Sequence, residues 1–302
     1  MNQAHDQIPD EFGDDGAPEN GLFGFSLEQL ARNPTVYRSD LLAGRVFIVT
    51  GGGTGFGQAM TFLLSRLGAQ VVICSRREEN LIHTAKAVKE LVGADVYTRV
   101  CNIREPEQVE ALFEDVWARY GRVDTVVNNA GGQFPIPALD MSRNGWKAVI
   151  DLNLNGTWWM MQTAGRHWRD KKMAGNIVNI VAYIERGMPQ VIHTCAARAG
   201  VIYMSKSVAQ EWAELKIRVN CLAPGCMASE GLKVYAPEAS ARMVNSNPMH
   251  KVGDAWDVAE GVVYLSAPSA KFITGEMLVI DGGMQMWGNA WPGGVPDWFK
   301  VI

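Results

Sequence analysis

From residue 46 onward the chain alternates between two hydrophobic rhythms. Short unbroken runs of aliphatic and β-branched residues, such as Val46-Phe47-Ile48-Val49, carry no polar face and suit strands buried on both sides. Between them lie longer stretches in which apolar residues return every three or four positions, the spacing of a helix with one buried stripe. The first rhythm predicts strands at 46–49, 70–75, 95–100, 123–127, 176–181, 218–221 and 277–280. The second predicts helices at 56–67, 78–91, 106–120, 143–168, 194–213 and 255–266, with a short one at 25–31 ahead of the first strand. Pro106 fits the first position of its helix, where no backbone N–H is needed. Alternation of strand and helix without a break implies a doubly wound parallel sheet with helices on both faces. Ligands of such sheets lie beyond the carboxyl ends of the strands, so the chemistry is sought there.

The turn after the first strand is the most informative of those ends. Thr50, Gly51, Gly52, Gly53, Thr54, Gly55, Phe56 and Gly57 follow one another and deliver the chain straight to a helix. The unpaired N–H groups and the dipole at a helix N-terminus favour an anion, and a phosphate is the natural guest. The spacing TGxxxGxG lacks the GK[ST] ending of a P-loop and differs from the GxGxxG dinucleotide fingerprint. The second strand ends on Ser75-Arg76-Arg77. A carboxylate there would bind the ribose hydroxyls of NAD, whereas a hydroxyl and guanidinium groups suit a 2′-phosphate, so NADP(H) is favoured over NAD(H). Asn102, with Ile103 beside it, follows the third strand within reach of an adenine, and Asn128-Asn129-Ala130-Gly131 follows the fourth.

Composition changes this picture mainly by exclusion. A chain of 302 residues can bury a large core, and the pattern divides it into an extension at 1–40, a sheet domain at 41–284 and an aromatic tail at 285–302. The extension is acidic and rich in Gly and Pro near its start, so it is expected to be partly disordered. A net charge of −4 argues against a nucleic-acid partner. The apolar runs are only strand length and the N-terminus is polar, so neither a membrane span nor a signal peptide is expected. Five cysteines without a CxxC pair read as reduced thiols in a cytoplasm, and no spacing suggests a metal site.

The segments TGGGTGFG (50–57), NNAG (128–131), DLNLNGT (151–157), IVNI (177–180), RVNCLAPG (218–225) and FITGEMLVIDGG (272–283) resemble the short-chain dehydrogenase/reductase family, in its order and spacing. The resemblance implies one Rossmann-like domain, a nicotinamide cofactor, hydride transfer, and a homo-oligomer, tetramer or dimer, built on the helices at 143–168 and 194–213. It implies a cofactor set of Thr50, Gly51, Gly53, Thr54, Gly55, Phe56, Gly57, Ser75, Arg76, Arg77, Asn102, Ile103, Asn129, Ala130, Gly131, Arg198, Pro224 and Gly225. Asn153 is implied as the structural asparagine of the active site.

The family's usual Ser and YxxxK centre is missing. Counting back from RVNCLAPG places Thr194 where the tyrosine belongs and Arg198 where the lysine belongs, while Val181 and Ala182 replace the serine region. Tyr203 and Lys206 are too close together and one turn too late, and read as helix surface. The stretches 128–138 and 193–213 resemble the branch of the family that holds peroxisomal trans-2-enoyl-CoA reductase and the 2,4-dienoyl-CoA reductases. In the mitochondrial dienoyl type a tyrosine in a YxExG context precedes the lysine by fifteen residues; here Tyr183 opens YIERG and Arg198 follows at that distance.

The expected catalytic set is therefore Tyr183, Asn153 and Arg198, acting on the C=C bond of an unsaturated acyl thioester. Reduction there gathers charge on the thioester oxygen, which a hydrogen bond from Tyr183 or Asn153 would stabilise. Arginine holds its proton and suits a fixed charge better than a proton relay. Two other readings stay open: an alcohol or ketone oxidoreductase of a hydrophobic, terpenoid-like substrate with His193 or Tyr183 as base, and a nucleotide-binding partner subunit without catalysis. The stretch 225–250 reads as a substrate lid, and Trp287, Trp291, Trp298 and Phe299 as a roof over an acyl pocket or a subunit contact.

Overall fold

A computed structural model describes residue 21 and residues 24–229 and 243–287. The start of the extension, the middle of the expected lid and the tail tryptophans Trp291 and Trp298 with Phe299 lie outside the described residues. Seven strands form one parallel sheet: β1 Val46–Thr50, β2 Gln70–Ser75, β3 Val96–Val100, β4 Thr125–Asn128, β5 Gly175–Ile180, β6 Ile217–Pro224 and β7 Met277–Ile280. Their spatial order is β3-β2-β1-β4-β5-β6-β7, so the sheet turns back on itself between β1 and β4. The glycine turn after β1 and the Asn128–Gly131 stretch after β4 meet at this switch point, the place where an open α/β sheet leaves a crevice.

The helices are α1 Leu27–Arg32, α2 Gly55–Arg66, α3 Glu78–Val92, α4 Pro106–Tyr120, α5 Arg143–Ile150, α6 Gly156–Asp170, α7 Ile192–Glu211 and α8 Ala255–Ser266. Successive strand residues feed opposite layers, as double burial requires. Phe47 and Val49 join a core with α2, α3 and α8, whereas Val46 and Ile48 join one with α4, α6 and α7. Helix ends follow local chemistry: Gly93 and Gly121 close α3 and α4 with left-handed backbone, and Asp254 caps α8 by accepting from the N–H groups of Trp256 at 2.7 Å and Asp257 at 3.0 Å. No described helix is long and apolar enough to cross a membrane.

The single helix expected at 143–168 is two helices joined by a π-turn at Asp151–Asn155. Helical spacing continues through a π-turn, so the apolar pattern does not register the extra residue. The turn places the side chain of Asn153 wholly inside the protein. Gly156, next in line, packs so tightly that a Cβ there would lie 2.8 Å from the Ile103 side chain.

Candidate active site

Two connected hollows open at the carboxyl ends of the strands. The larger, about 800 Å³, runs from the glycine turn past Gly131 and Arg198 to Tyr183, Met227 and Trp287. The smaller, about 280 Å³, is bounded by Gly53, Ser75, Arg76, Arg77, Asn102 and Ile103. Of the residues expected from sequence, Gly51, Thr54, Gly55, Phe56, Asn129, Ala130, Gly131, Pro224 and Gly225 line the larger hollow with Tyr183 and Arg198. Thr50, Gly57 and Asn153 stand behind the walls and brace them.

The braces are specific. Thr50 Oγ1 accepts from the N–H groups of Asn129 and Ala130, both at 2.9 Å, and the Asn129 Nδ2 donates to the Thr50 carbonyl at 2.9 Å. These bonds staple the β4 turn to the end of β1. Gly57 lies against the Gly51 carbonyl so closely that a Cβ would sit 2.1 Å from its oxygen. Gly55 differs: its φ is +52° and nothing lies within 4 Å of its Cβ position, so backbone faces open space at the first turn of α2. Thr54, the residue before that turn, makes no side-chain cap. An open helix N-terminus over open space fits the pyrophosphate of a dinucleotide.

Asn153 holds the next turn. Its Oδ1 accepts from Gly132 N at 3.0 Å, while its Nδ2 donates to Gly132 O at 3.0 Å and to Thr194 Oγ1 at 3.1 Å. Both amide hydrogens are used, which leaves none for a substrate oxygen in this arrangement.

Charge in the hollows has one sign. Arg76, Arg77, Arg186 and Arg198 line them and no carboxylate does among the described residues, although the whole chain carries −4. Burial, then the nearby Arg104 and Arg77, pull the pKa of Arg76 down. Arg104, which the strand-end reading missed because it lies beyond the third strand's turn, has a buried Nε with no hydrogen-bond partner. Asn102, by contrast, turns its amide to Glu105 at 3.3 Å while still lining the smaller hollow.

Arg198 is the most constrained of these cations. Its Nη1 donates to the Ile180 carbonyl at 2.7 Å, and a Cβ on Gly131 would sit 2.3 Å from its Nη2, so that glycine makes room for it. Burial pulls its pKa down to about 10, and no ion pair offsets the charge among the described residues. The adjacent Cys221 thiol, pushed up to about 11 by burial, stays protonated and offers no counter-charge. An uncompensated buried guanidinium is costly, and a bound anion or a developing negative charge relieves that cost.

Tyr183 is buried, and its hydroxyl donates to the Gln285 carbonyl at 3.5 Å. His193 is fully buried outside the hollows, edge-on to Phe134 at 4.7 Å, with its pKa lowered by burial and its Nε2 unbonded. It is not placed to meet a ligand there. Tyr203 projects from α7 with 70 % exposure beneath the Lys206 ammonium, as the spacing of that pair implied. Met188, Cys226, Met227, Ser229 and Met284 complete the larger hollow, and no local motif marks them.

The family model described as Enoyl-(Acyl carrier protein) reductase matches residues 51–285. A probable 2,4-dienoyl-CoA reductase of Bacillus subtilis is 35% identical over 253 residues, covering 82% of this chain and 98% of that protein. The peroxisomal 2,4-dienoyl-CoA reductase of Pongo abelii is 34% identical, covering 81% of this chain and 85% of that protein. The solved structure of a citronellol catabolism dehydrogenase from Pseudomonas aeruginosa superposes with a TM-score of 0.75 at 35% identity, covering 83% of this chain and 98% of the other. With the glycine turn, the switch-point crevice and the cationic hollows in place, the chain belongs to the short-chain dehydrogenase/reductase family and is an oxidoreductase dependent on a nicotinamide cofactor.

Proposed function

We propose that the protein is an NADPH-dependent reductase of the C=C bond of an α,β-unsaturated acyl thioester, an enoyl- or dienoyl-CoA. The observation that carries this reading is the presence on one hollow of Tyr183 and of Arg198, which burial leaves charged at neutral pH, in a chain without YxxxK. The names of the two dienoyl-CoA reductase relatives support it. The bound nicotinamide supplies the hydride. As negative charge gathers on the thioester oxygen, the Tyr183 hydroxyl turns from the Gln285 carbonyl to donate to it, and Arg198 stabilises it through space. Asn153 holds Gly132 and Thr194 in place rather than touching the oxygen. Arg76 and Arg77 line the smaller hollow, with Arg104 near Arg76 and no carboxylate in the lining among the described residues, and this favours the 2′-phosphate of NADP over the bare hydroxyl of NAD. We infer a homo-oligomer working in the cytoplasm.

A second reading is favoured by one observation, the structural match to a dehydrogenase of citronellol catabolism. In that case the larger hollow takes a terpenoid-like alcohol or carbonyl compound. Nicotinamide oxidation, followed by absorbance with NADPH and NADH against enoyl- and dienoyl-CoA thioesters beside ketones and aldehydes, separates the two. Turnover of thioesters with NADPH is expected; turnover of carbonyl compounds alone would reject the leading reading.

A further inference from the structure

Three segments distant in sequence meet at the mouth of the larger hollow: the loop from Tyr183 to Met188, the stretch Asn245–His250 and the segment Asp281–Trp287. The last is fixed at its base, because the Asp281 carboxylate accepts from the N–H groups of Gly283 and Gln285, both at 2.8 Å. From there it makes two bonds to the first loop. The Arg186 Nη1 donates to the Trp287 carbonyl, and the Tyr183 hydroxyl donates to the Gln285 carbonyl at 3.5 Å. It makes one bond to the second stretch, from Trp287 Nε1 to the Asn245 carbonyl at 3.2 Å, and the indole meets the His250 ring edge-on at 5.8 Å. Arg186 is itself exposed and Gly187 turns with φ of +70°, its N–H donating to the Ile184 carbonyl at 2.8 Å, while Tyr183 N reaches the Pro224 carbonyl only at 3.5 Å, so the tip of the loop is closed on itself and its base is weakly tied.

The bond from the Tyr183 hydroxyl is long, near the limit at which a hydrogen bond retains strength. It does not fix the ring alone. A second tie on this loop comes three residues later, through a charge-assisted bond from Arg186 to the Trp287 carbonyl. We propose that Arg186 and Trp287 are positioning residues that tie the 183–188 loop to the C-terminal segment and so set the Tyr183 hydroxyl at the wall of the hollow. The proposal rests on the reading of Tyr183 as the hydrogen-bond donor to substrate. Arg186 acts through the backbone of Trp287, and Trp287 acts through its indole N–H on the 245–250 stretch.

Two measurements test it on the full-length protein. In the first, hydrogen–deuterium exchange of the apo protein follows the amides of 183–190; exchange there is expected to quicken in Arg186→Ala and in Trp287→Ala while the sheet amides keep their rates. Unchanged exchange in both variants would overturn the latch, whatever the substrate proves to be. In the second, steady-state kinetics with a dienoyl-CoA and NADPH compares Arg186→Ala, Arg186→Lys and Trp287→Phe in the parent and in a Tyr183→Phe background. Arg186→Ala is expected to lower kcat about tenfold or more, with KM for NADPH unchanged. Trp287→Phe keeps the ring and loses one bond, for a fall of about three- to tenfold. Arg186→Lys recovers part of the loss. In the Tyr183→Phe background neither change is expected to lower kcat further. Additive losses, or an effect confined to KM for the thioester, would show that Arg186 binds substrate directly and overturn the positioning role. If the parent turns over no thioester, the functional reading fails and the exchange experiment alone decides the latch.

Discussion

The two halves of the cleft are built by opposite means. The cofactor half is made of two turns at the ends of adjacent strands, locked together by side chain–backbone bonds of 2.9–3.4 Å among Thr50, Gly51 and Asn129. The substrate half is made of segments that meet only through tertiary contact, with Arg186 and Trp287, or Tyr183 and Gln285, about a hundred residues apart in the chain. The first half therefore resists change at single atoms, whereas the second depends on several weak ties at once. The difference teaches where a substitution will destroy the protein and where it will only detune it.

Two glycines of one turn give the largest expected effect and the sharpest internal control. Gly57→Ala drives a Cβ to 2.1 Å from the Gly51 carbonyl oxygen, a backbone atom that no change of rotamer can move aside, and to 2.8 Å from the Asn129 amide nitrogen. A loss of about 3 kcal/mol or more in stability is expected, with nucleotide binding abolished. Gly55→Ala meets no protein atom, but carries left-handed backbone strain of about 1–2 kcal/mol and fills the space assigned to phosphate. It should fold and still bind NADPH weakly. Chemical denaturation with NADPH titration checks both; tight binding by Gly55→Ala would remove the pyrophosphate from this turn.

Tyr183→Phe tests the other half. Among the described residues the hydroxyl bonds only to the Gln285 carbonyl, at 3.5 Å, so its loss should barely change stability or NADPH affinity. A kcat fall of about a hundredfold is expected on enoyl or dienoyl thioesters, measured in steady state. A change of less than about threefold would shift the donor elsewhere.

These halves also differ in how far the sequence reveals them. The glycine turn and the Asn128–Gly131 stretch were legible because the residues that form them are contiguous and their roles follow from backbone space and helix ends. The seven strands were legible because double burial demands unbroken apolar runs, as in Val46–Val49. Boundaries moved by a few residues; β6, for example, extends to Pro224, where the sequence suggested an end at Cys221. The π-turn at Asp151–Asn155 was hidden because one added residue does not disturb the apolar spacing on either side. Arg104 was hidden for a different reason: only the fold brings it to Arg76 across neighbouring strand ends. Tyr183 and Trp287 stood out as residue types, but no local rule could pair the tryptophan with Asn245 or Arg186.

Arg198 lies where the halves join, and it predicts a trade between stability and function. Its pKa, drawn down to about 10 by burial, means that the folded protein bears an unfavourable charge at every pH below 10. That shift corresponds to roughly 3 kcal/mol, and the bond to Ile180 returns about 1 kcal/mol. Arg198→Met should accordingly stabilise the apo protein by about 1–2 kcal/mol in thermal or denaturant unfolding, while turnover collapses. Thermal shift on adding NADPH should shrink in the same variant. A destabilised apo protein would mean that the guanidinium is compensated within the fold.

The smallest effect concerns the support behind the substrate half. Asp254 caps α8, and the preceding Gly253 accepts from Ala228 N at 2.6 Å and donates to Cys226 O at 3.0 Å, so this corner anchors the wall formed by Cys226 and Met227. Burial, followed by the charges of Asp257 and Glu260, pushes the Asp254 carboxyl up from 3.8 to about 6, against the opposing help of its two N–H donors. A raised folded-state pKa means that the folded protein binds this proton more tightly than the unfolded chain. The resulting stabilisation is fully present below about pH 4, falls as pH rises towards 6, and is gone above it. Asparagine caps a helix about as well as aspartate and does not titrate. Asp254→Asn should therefore match the parent near pH 4 and exceed it by about 1–2 kcal/mol at pH 8, allowing for partial solvent screening. Denaturant unfolding at the two pH values reads the difference directly. A variant weaker than the parent at pH 8 would show that the ionised cap, with its two N–H donors, outweighs the cost of its burial, and that this corner is held by charge rather than in spite of it.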